Sequence, residues 1–252
     1  MLLFFERPCT ELWRMISKLK LALNALLHLV YPRQCLFCSW DLLHFEEVIC
    51  THCKVELPRA FPFLVHPQMK KVFFGRCDFH QLIVGYKMEK TGIIKELMHA
   101  LKYRQHPEVG QALGKSWAMA MKNSCGTLPW DVIVPVPLHP DKFKKRGYNQ
   151  AEEIAVGLSE AWNISVSKDV LIRRTNGVSQ TFQNRWIRNS KSDNPFGIAK
   201  GEALANLRVL VIDDVITTGA TLVQCYDALK EIPGIKISFG ALAIPVHNRI
   251  VV

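Results

Sequence analysis

Residues 209–221 read V-L-V-I-D-D-V-I-T-T-G-A-T, and this stretch leaves the backbone little choice. Four apolar residues without alternation describe a strand buried on both faces, which means a parallel sheet covered by helices. The run ends in two adjacent carboxylates, Asp213 and Asp214. It then enters a turn of Thr217, Thr218, Gly219, Ala220 and Thr221 before a helix-like segment. A Gly/Thr turn that opens a helix offers backbone N–H groups and a positive dipole end to a phosphate. Two carboxylates just before that turn do not suit the phosphate itself; they suit a polyhydroxylated group attached to it, such as a ribose. A strand–turn–helix unit of some other α/β enzyme that merely ends in acids is the alternative.

The rest of the chain alternates strand and helix. Strands are expected at 82–86, 131–136, 170–172, 207–212 and 235–244. Helices are expected at 92–103, 107–122, 149–162 and 218–232, the first from apolar residues at Ile93, Ile94, Leu97, Met98 and Leu101. Such alternation implies a parallel sheet with helices on both faces, and ligands in these sheets sit at the carboxyl ends of strands. The stretch 173–206, with Arg173, Arg174, Arg185 and Arg188, is long and polar. A connection of that length is functional or a surface insertion. The expected organisation is an extension and helix at 1–31, a cysteine-rich segment and linker at 32–80, and the α/β domain at 81–252.

The 209–221 run resembles the type I phosphoribosyltransferase signature at every position. That resemblance implies a site for phosphoribosyl pyrophosphate (PRPP). Asp213 and Asp214 would hold the ribose hydroxyls, and Thr217, Thr218, Gly219, Ala220 and Thr221 would cradle the 5′-phosphate. It also implies that the 173–206 interval is a hood that closes over the site and excludes water.

The chain has 252 residues, 49% of them hydrophobic, enough for one good-sized core and a small appendage. Its net charge of +10 favours polyanionic partners, such as nucleic acid or PRPP, or serves solubility alone. Among eight cysteines, Cys35, Cys38, Cys50 and Cys53 form two C-x-x-C pairs within nineteen residues. Each pair can supply two thiolates from one tight turn, so one structural Zn²⁺ is expected; redox-active or unligated pairs are the alternative. This cysteine usage also points to a reduced, cytoplasmic setting. Residues 19–30 are apolar but too short to span a bilayer, and no small-residue cleavage site follows, so no stable membrane insertion is expected. A helix packing on the protein is expected there. Met15 is an alternative start, which would leave 1–14 outside the native chain.

Residues 131–151, D-V-I-V-P-V-P-L-H-P-D-K-F-K-K-R-G-Y-N-Q-A, deliver a strand, a turn and a basic cluster. Lys144, Lys145 and Arg146 can neutralise the pyrophosphate of PRPP, or form a loop that only solubilises. The P-V-P-L-H-P…R-G-Y-N-Q-A segment, the paired C-x-x-C start and the D-D-x-x-T-T-G-A-T turn, in this order, resemble the competence protein F (ComF) family. The resemblance covers about 19–245, including L-M-H-A-L-K-Y at 97–103 and Arg173, Arg174 and Gln180. Members often carry a further cysteine pair; here only Cys77 remains, so one zinc is expected.

By this resemblance the chemistry is displacement at the ribose anomeric carbon, with Mg²⁺ on pyrophosphate and hydroxyl oxygens. The resemblance also implies a role in competence or DNA uptake, with single-stranded DNA or DNA-processing proteins as partners. The competing readings are a non-catalytic PRPP sensor and a nucleic-acid binder. Residues 39–49, between the cysteine pairs, hold no Lys or Arg and are poorly suited to touch phosphates.

Overall fold

The structure, a computed structural model, describes residues 15, 19, 32–60, 71–125, 128–174 and 194–246. Most of the 19–30 segment and the 175–193 part of the long polar interval, with Arg185 and Arg188, lie outside the described residues. The chain forms two compact units, Met1–Lys54 and Val55–Val252.

The second unit is built on strands β1 (Leu82–Met88), β2 (Val132–Pro135), β3 (Ser165–Val166), β6 (Arg208–Val215) and β7 (Lys236–Pro245). They form one sheet in the order β1-β7-β6-β2-β3, every neighbouring pair parallel. Its helices are α2 (Ile93–Tyr103), α3 (Glu108–Cys125), α4 (Pro140–Arg146), α5 (Gln150–Trp162) and α6 (Ala220–Leu229). This is the parallel sheet flanked by helices that the alternating pattern predicts.

Alternation along the strands sorts the core onto two faces. Val209 and Val211 of β6, Val132 and Val134 of β2, and Leu82 and Val84 of β1 pack in one cluster with Leu222, Cys225 and Leu229 of α6. On the other face, Ile83, Leu210 and Ile212 surround Gly240, and Trp117 of α3 lies against Gly85. Helices α3 and α5 pack with each other through glycines. A Cβ on Gly157 would meet the Gln111 carbonyl oxygen at 2.1 Å, and one on Gly114 the Ile154 carbonyl oxygen at 2.5 Å. At the strand origins, Asp131 accepts from the Arg208 backbone N–H at 2.8 Å and from the guanidinium at 2.6 and 3.0 Å. This fork fixes β2 beside β6 in the register Val132↔Val209.

The expected strand at 170–172 takes a different place. Strand β4 (Leu171–Arg173) pairs antiparallel with β5 (Phe196–Ile198), in a two-stranded ribbon separate from the main sheet. The sequence offers no partner for so short a strand, because its partner lies inside the polar interval.

Sheet order decides where a ligand can go. From β2 the chain proceeds outward to β3, whereas from β6 it proceeds the other way to β7. The connections above β2 and β6 therefore diverge and leave a crevice at their carboxyl ends.

Candidate functional site

The acidic pair stands at that crevice. Asp213 and Asp214 lie inside β6, which runs on to Val215, beyond the end at 212 that the apolar run suggests. Adjacent strand residues point to opposite faces, so the two carboxylates have different neighbours within the crevice. Asp214 meets α2: its Oδ2 is 2.7 Å from Lys102 Nζ, with the two side chains 19% and 25% exposed. Asp213 Oδ1 accepts from the Asp214 backbone N–H at 2.8 Å. Burial, and then the charge of Asp214, push the Asp213 carboxyl up to about 7, despite the opposing pull of Lys102 and Arg173.

The turn after β6 is fixed by its glycine. Gly219 adopts φ 68, in the left-handed region, and caps the start of α6. A Cβ there would come within 2.7 Å of the Phe73 ring. Arg76 holds the turn from outside, donating to the Thr218 carbonyl at 2.9 Å and to the Val72 carbonyl at 3.1 Å. Thr217, Thr218, Gly219, Ala220 and Thr221 line a small recess together with Asp213. Its floor is the first turn of a helix, where backbone N–H groups lack intrahelical partners.

A cleft of about 650 Å³ adjoins this recess and shares Asp213, Thr217 and Thr221 with it. Lys95, Lys102, Lys142, Arg146 and Arg173 line it against the two aspartates, so its net charge is positive. The basic segment is a helix rather than a loop. His139 Nδ1 accepts from the Asp141 N–H at 3.2 Å, Pro140 begins the helix, and Gly147 at φ 81 ends it. Four-residue spacing puts Lys142 and Arg146 on one face, at the cleft. Lys144 and Lys145 are exposed and do not line it.

Of the expected site residues, the structure brings together Asp213, Asp214, the five turn residues and Arg146. It adds Lys102, Lys142 and Gln150, and it brings in Arg173 from the start of the polar interval. Lys102 lies in the L-K-Y helix end, and nothing local links it to an aspartate over a hundred residues later. The Arg146 guanidinium is held by Gln150 Oε1 at 2.8 Å and lies over the Tyr103 ring, 5.4 Å from its centre.

In the first unit, Cys35, Cys38, Cys50 and Cys53 gather with all four sulfurs within 4.8 Å of one another, and Cys38 and Cys50 are 3.6 Å apart. Four thiolates around one Zn²⁺ at about 2.3 Å place sulfurs roughly 3.8 Å apart, so the donor set fits that ion. Cys35 and Cys38 are brought together by a tight turn in which the Ser39 N–H donates to the Cys35 carbonyl at 2.9 Å. Cys50 precedes, and Cys53 lies in, the short helix α1 (Thr51–Val55). Burial raises the Cys35 thiol, but backbone N–H groups of Cys38, Cys50 and Phe37 outweigh it and bring it down to about 7. Between the pairs, the buried Glu46 carboxylate accepts from the Leu43 N–H at 2.8 Å, the Thr51 N–H and the Thr51 hydroxyl at 2.6 Å. The adjacent Glu46 and Glu47 look alike in the sequence, which carries no signal that one of them braces the turn.

No family model matches the chain. It is 25% identical over 225 residues to competence protein F of Haemophilus influenzae, a match covering 83% of this chain and 96% of that protein. The chain resembles the competence protein F family. Competence protein ComFC of Streptococcus pneumoniae is 37% identical over 99 residues, 39% of this chain and 41% of that protein. DNA utilization protein YhgH of Salmonella typhimurium is 26% identical over 211 residues, 78% of this chain and 90% of that protein. Solved structures with partial likeness include glutamine PRPP amidotransferase from B. subtilis. It is 22% identical with TM-score 0.34, over 52% of this chain and 25% of that one. Adenine phosphoribosyltransferase from Leishmania tarentolae is 13% identical with TM-score 0.34, over 60% and 75%.

Proposed function

We propose that this protein binds PRPP and transfers its ribose 5-phosphate to a nucleophile, releasing pyrophosphate, in the cytoplasm and in the service of DNA uptake or use. The observation that carries the proposal is a single cationic cleft shared by an acidic pair at a strand end and a Gly/Thr turn opening a helix. In this reading the N–H groups at 217–221 take the 5′-phosphate, and Asp213 and Asp214 accept from the ribose hydroxyls. Arg146 and Lys142 face the pyrophosphate. As the anomeric C–O bond breaks, its electron pair leaves with pyrophosphate, and these cations stabilise that charge. The acceptor's lone pair forms the new bond, and its proton is lost to solvent.

Asp213 and Asp214 are the oxygen donors that would hold Mg²⁺ together with substrate oxygens. The ion would supply further neutralisation of the leaving group. The four cysteines would hold one structural Zn²⁺. The names of the relatives support a place in competence or DNA utilisation.

Calorimetry with PRPP and Mg²⁺ tests the reading. Wild type is expected to bind, and Asp213→Asn with Asp214→Asn to lose at least tenfold in affinity. An absence of binding by wild type would sink the proposal. A second reading, PRPP sensing without turnover, is favoured by one feature: Lys102 already occupies Asp214. Binding without pyrophosphate release across a panel of bases and amines would select it.

A further inference from the structure

Two neighbouring amides begin helix α5, and their hydrogen-bond use differs. Asn149 spends both ends of its amide on the fold: Nδ2 donates to the Val136 carbonyl at 3.0 Å, and Oδ1 accepts from the Ala151 N–H at 3.1 Å. Gln150 spends only one. Its Oε1 accepts from Arg146 Nη1, and its Nε2 is buried with no partner among the described residues. The orientation of this amide is settled by chemistry. A guanidinium only donates, so the atom facing Arg146 must be the oxygen, and the NH₂ must lie on the other side. Gln150 is 2% exposed and lines the cleft wall.

A buried donor without an acceptor is costly, and one on a side chain that lines a cleft calls for a ligand to complete it. Around it the structure supplies three further reasons for an anion. The N-terminus of a thirteen-residue helix begins at Gln150. Arg146 stands 2.8 Å from its oxygen. Lys142 lines the same cleft on the same helical face as Arg146.

We propose that Gln150 is a ligand-binding residue that donates through Nε2 to an oxygen of a diphosphate group, while its Oε1 aims the Arg146 guanidinium at the same group. The proposal rests on the PRPP reading for which end of the ligand arrives here. It makes the 142–150 side of the cleft the diphosphate subsite and leaves the sugar phosphate to the 217–221 turn. Only a side chain with both an acceptor and a donor can serve Arg146 and the ligand at once.

The test is calorimetry on the full chain with inorganic pyrophosphate, and separately with ribose 5-phosphate, for wild type, Gln150→Glu and Gln150→Met. Glu suits a helix N-terminus and keeps an acceptor for Arg146, so folding is preserved while the donor is lost. Gln150→Glu is expected to weaken pyrophosphate binding at least tenfold and Gln150→Met several-fold. Both should leave ribose 5-phosphate within about twofold. Wild-type affinity for pyrophosphate in both variants would overturn the inference. So would equal weakening toward the two probes, or wild type that binds no pyrophosphate. The failures are separable. PRPP binding with indifferent Gln150 variants sinks this assignment alone, whereas Gln150-dependent pyrophosphate binding without PRPP binding sinks the PRPP reading alone.

Discussion

Asp213 is a carboxylate in a place that favours its neutral form, because burial and the Asp214 charge both oppose ionisation. An acid whose folded-state value is raised stabilises the fold fully below its ordinary range, near pH 4, and loses that contribution as pH rises through about 7. Asparagine mimics the protonated form. Asp213→Asn is therefore expected to be more stable than wild type at pH 8 and equal to it near pH 4, read as urea midpoints. A constant offset across that range would contradict the assignment. Gly219 gives a second prediction at this scale. Alanine there would adopt a left-handed φ and push into the Phe73 ring, so Gly219→Ala should cost about 1–3 kcal/mol in a denaturation curve. The aspartates and the turn were legible in the sequence because their chemistry needs them contiguous. Lys102 and Gln150 were not, because their parts depend on where the fold carries them.

Helix α5 owes its seat to glycines that disfavour helix when considered alone. Gly110 and Gly114 of α3 face Gly157, Glu153 and Ile154 of α5, and Gln111 Nε2 donates to Glu153 Oε2 at 2.6 Å across the same contact. Gly157→Ala forces a Cβ onto a carbonyl oxygen and is expected to destabilise by about 1–3 kcal/mol or more, measured by thermal melting. If the helices separate to make room, the cleft end of α5 moves as well, and pyrophosphate affinity should fall with stability. The periodicity of α2, α3 and α5 was readable to within a few residues, because apolar spacing reflects burial directly. The strand 170–172 was readable as a strand but not as a member of the right sheet, since pairing is a long-range choice. The 140–146 helix was hidden because its charges masked its caps, His139 and Gly147.

At the scale of the whole molecule, every residue lining the cleft belongs to 55–252, and the four cysteines belong to 1–54. Metal assay of the full chain is expected to find about one zinc, lost in Cys35→Ser with Cys38→Ser. Proteolysis of that variant should open at 32–54, while affinity for PRPP stays within about twofold. A folded, metal-free wild type would refute the zinc assignment. Cysteine spacing and the onset of strand–helix alternation set the expected segments at 1–31, 32–80 and 81–252, and the two compact units meet at Lys54 and Val55. Residues 58–60 lie along β1: the Ala60 N–H donates to the Gly85 carbonyl at 3.0 Å, and the Pro58 carbonyl accepts from the Lys87 N–H at 2.7 Å. Helix α5 also joins two distant parts of the second unit. It starts at Gln150 in the cleft and ends about 18 Å away at Trp162. There Trp162 lies 5.5 Å from Trp130 and 6.3 Å from Trp117, all three buried. This indole trio gives the protein an internal gauge of folding. Its near-ultraviolet dichroism should collapse on denaturation and stay unchanged when ligands fill the cleft.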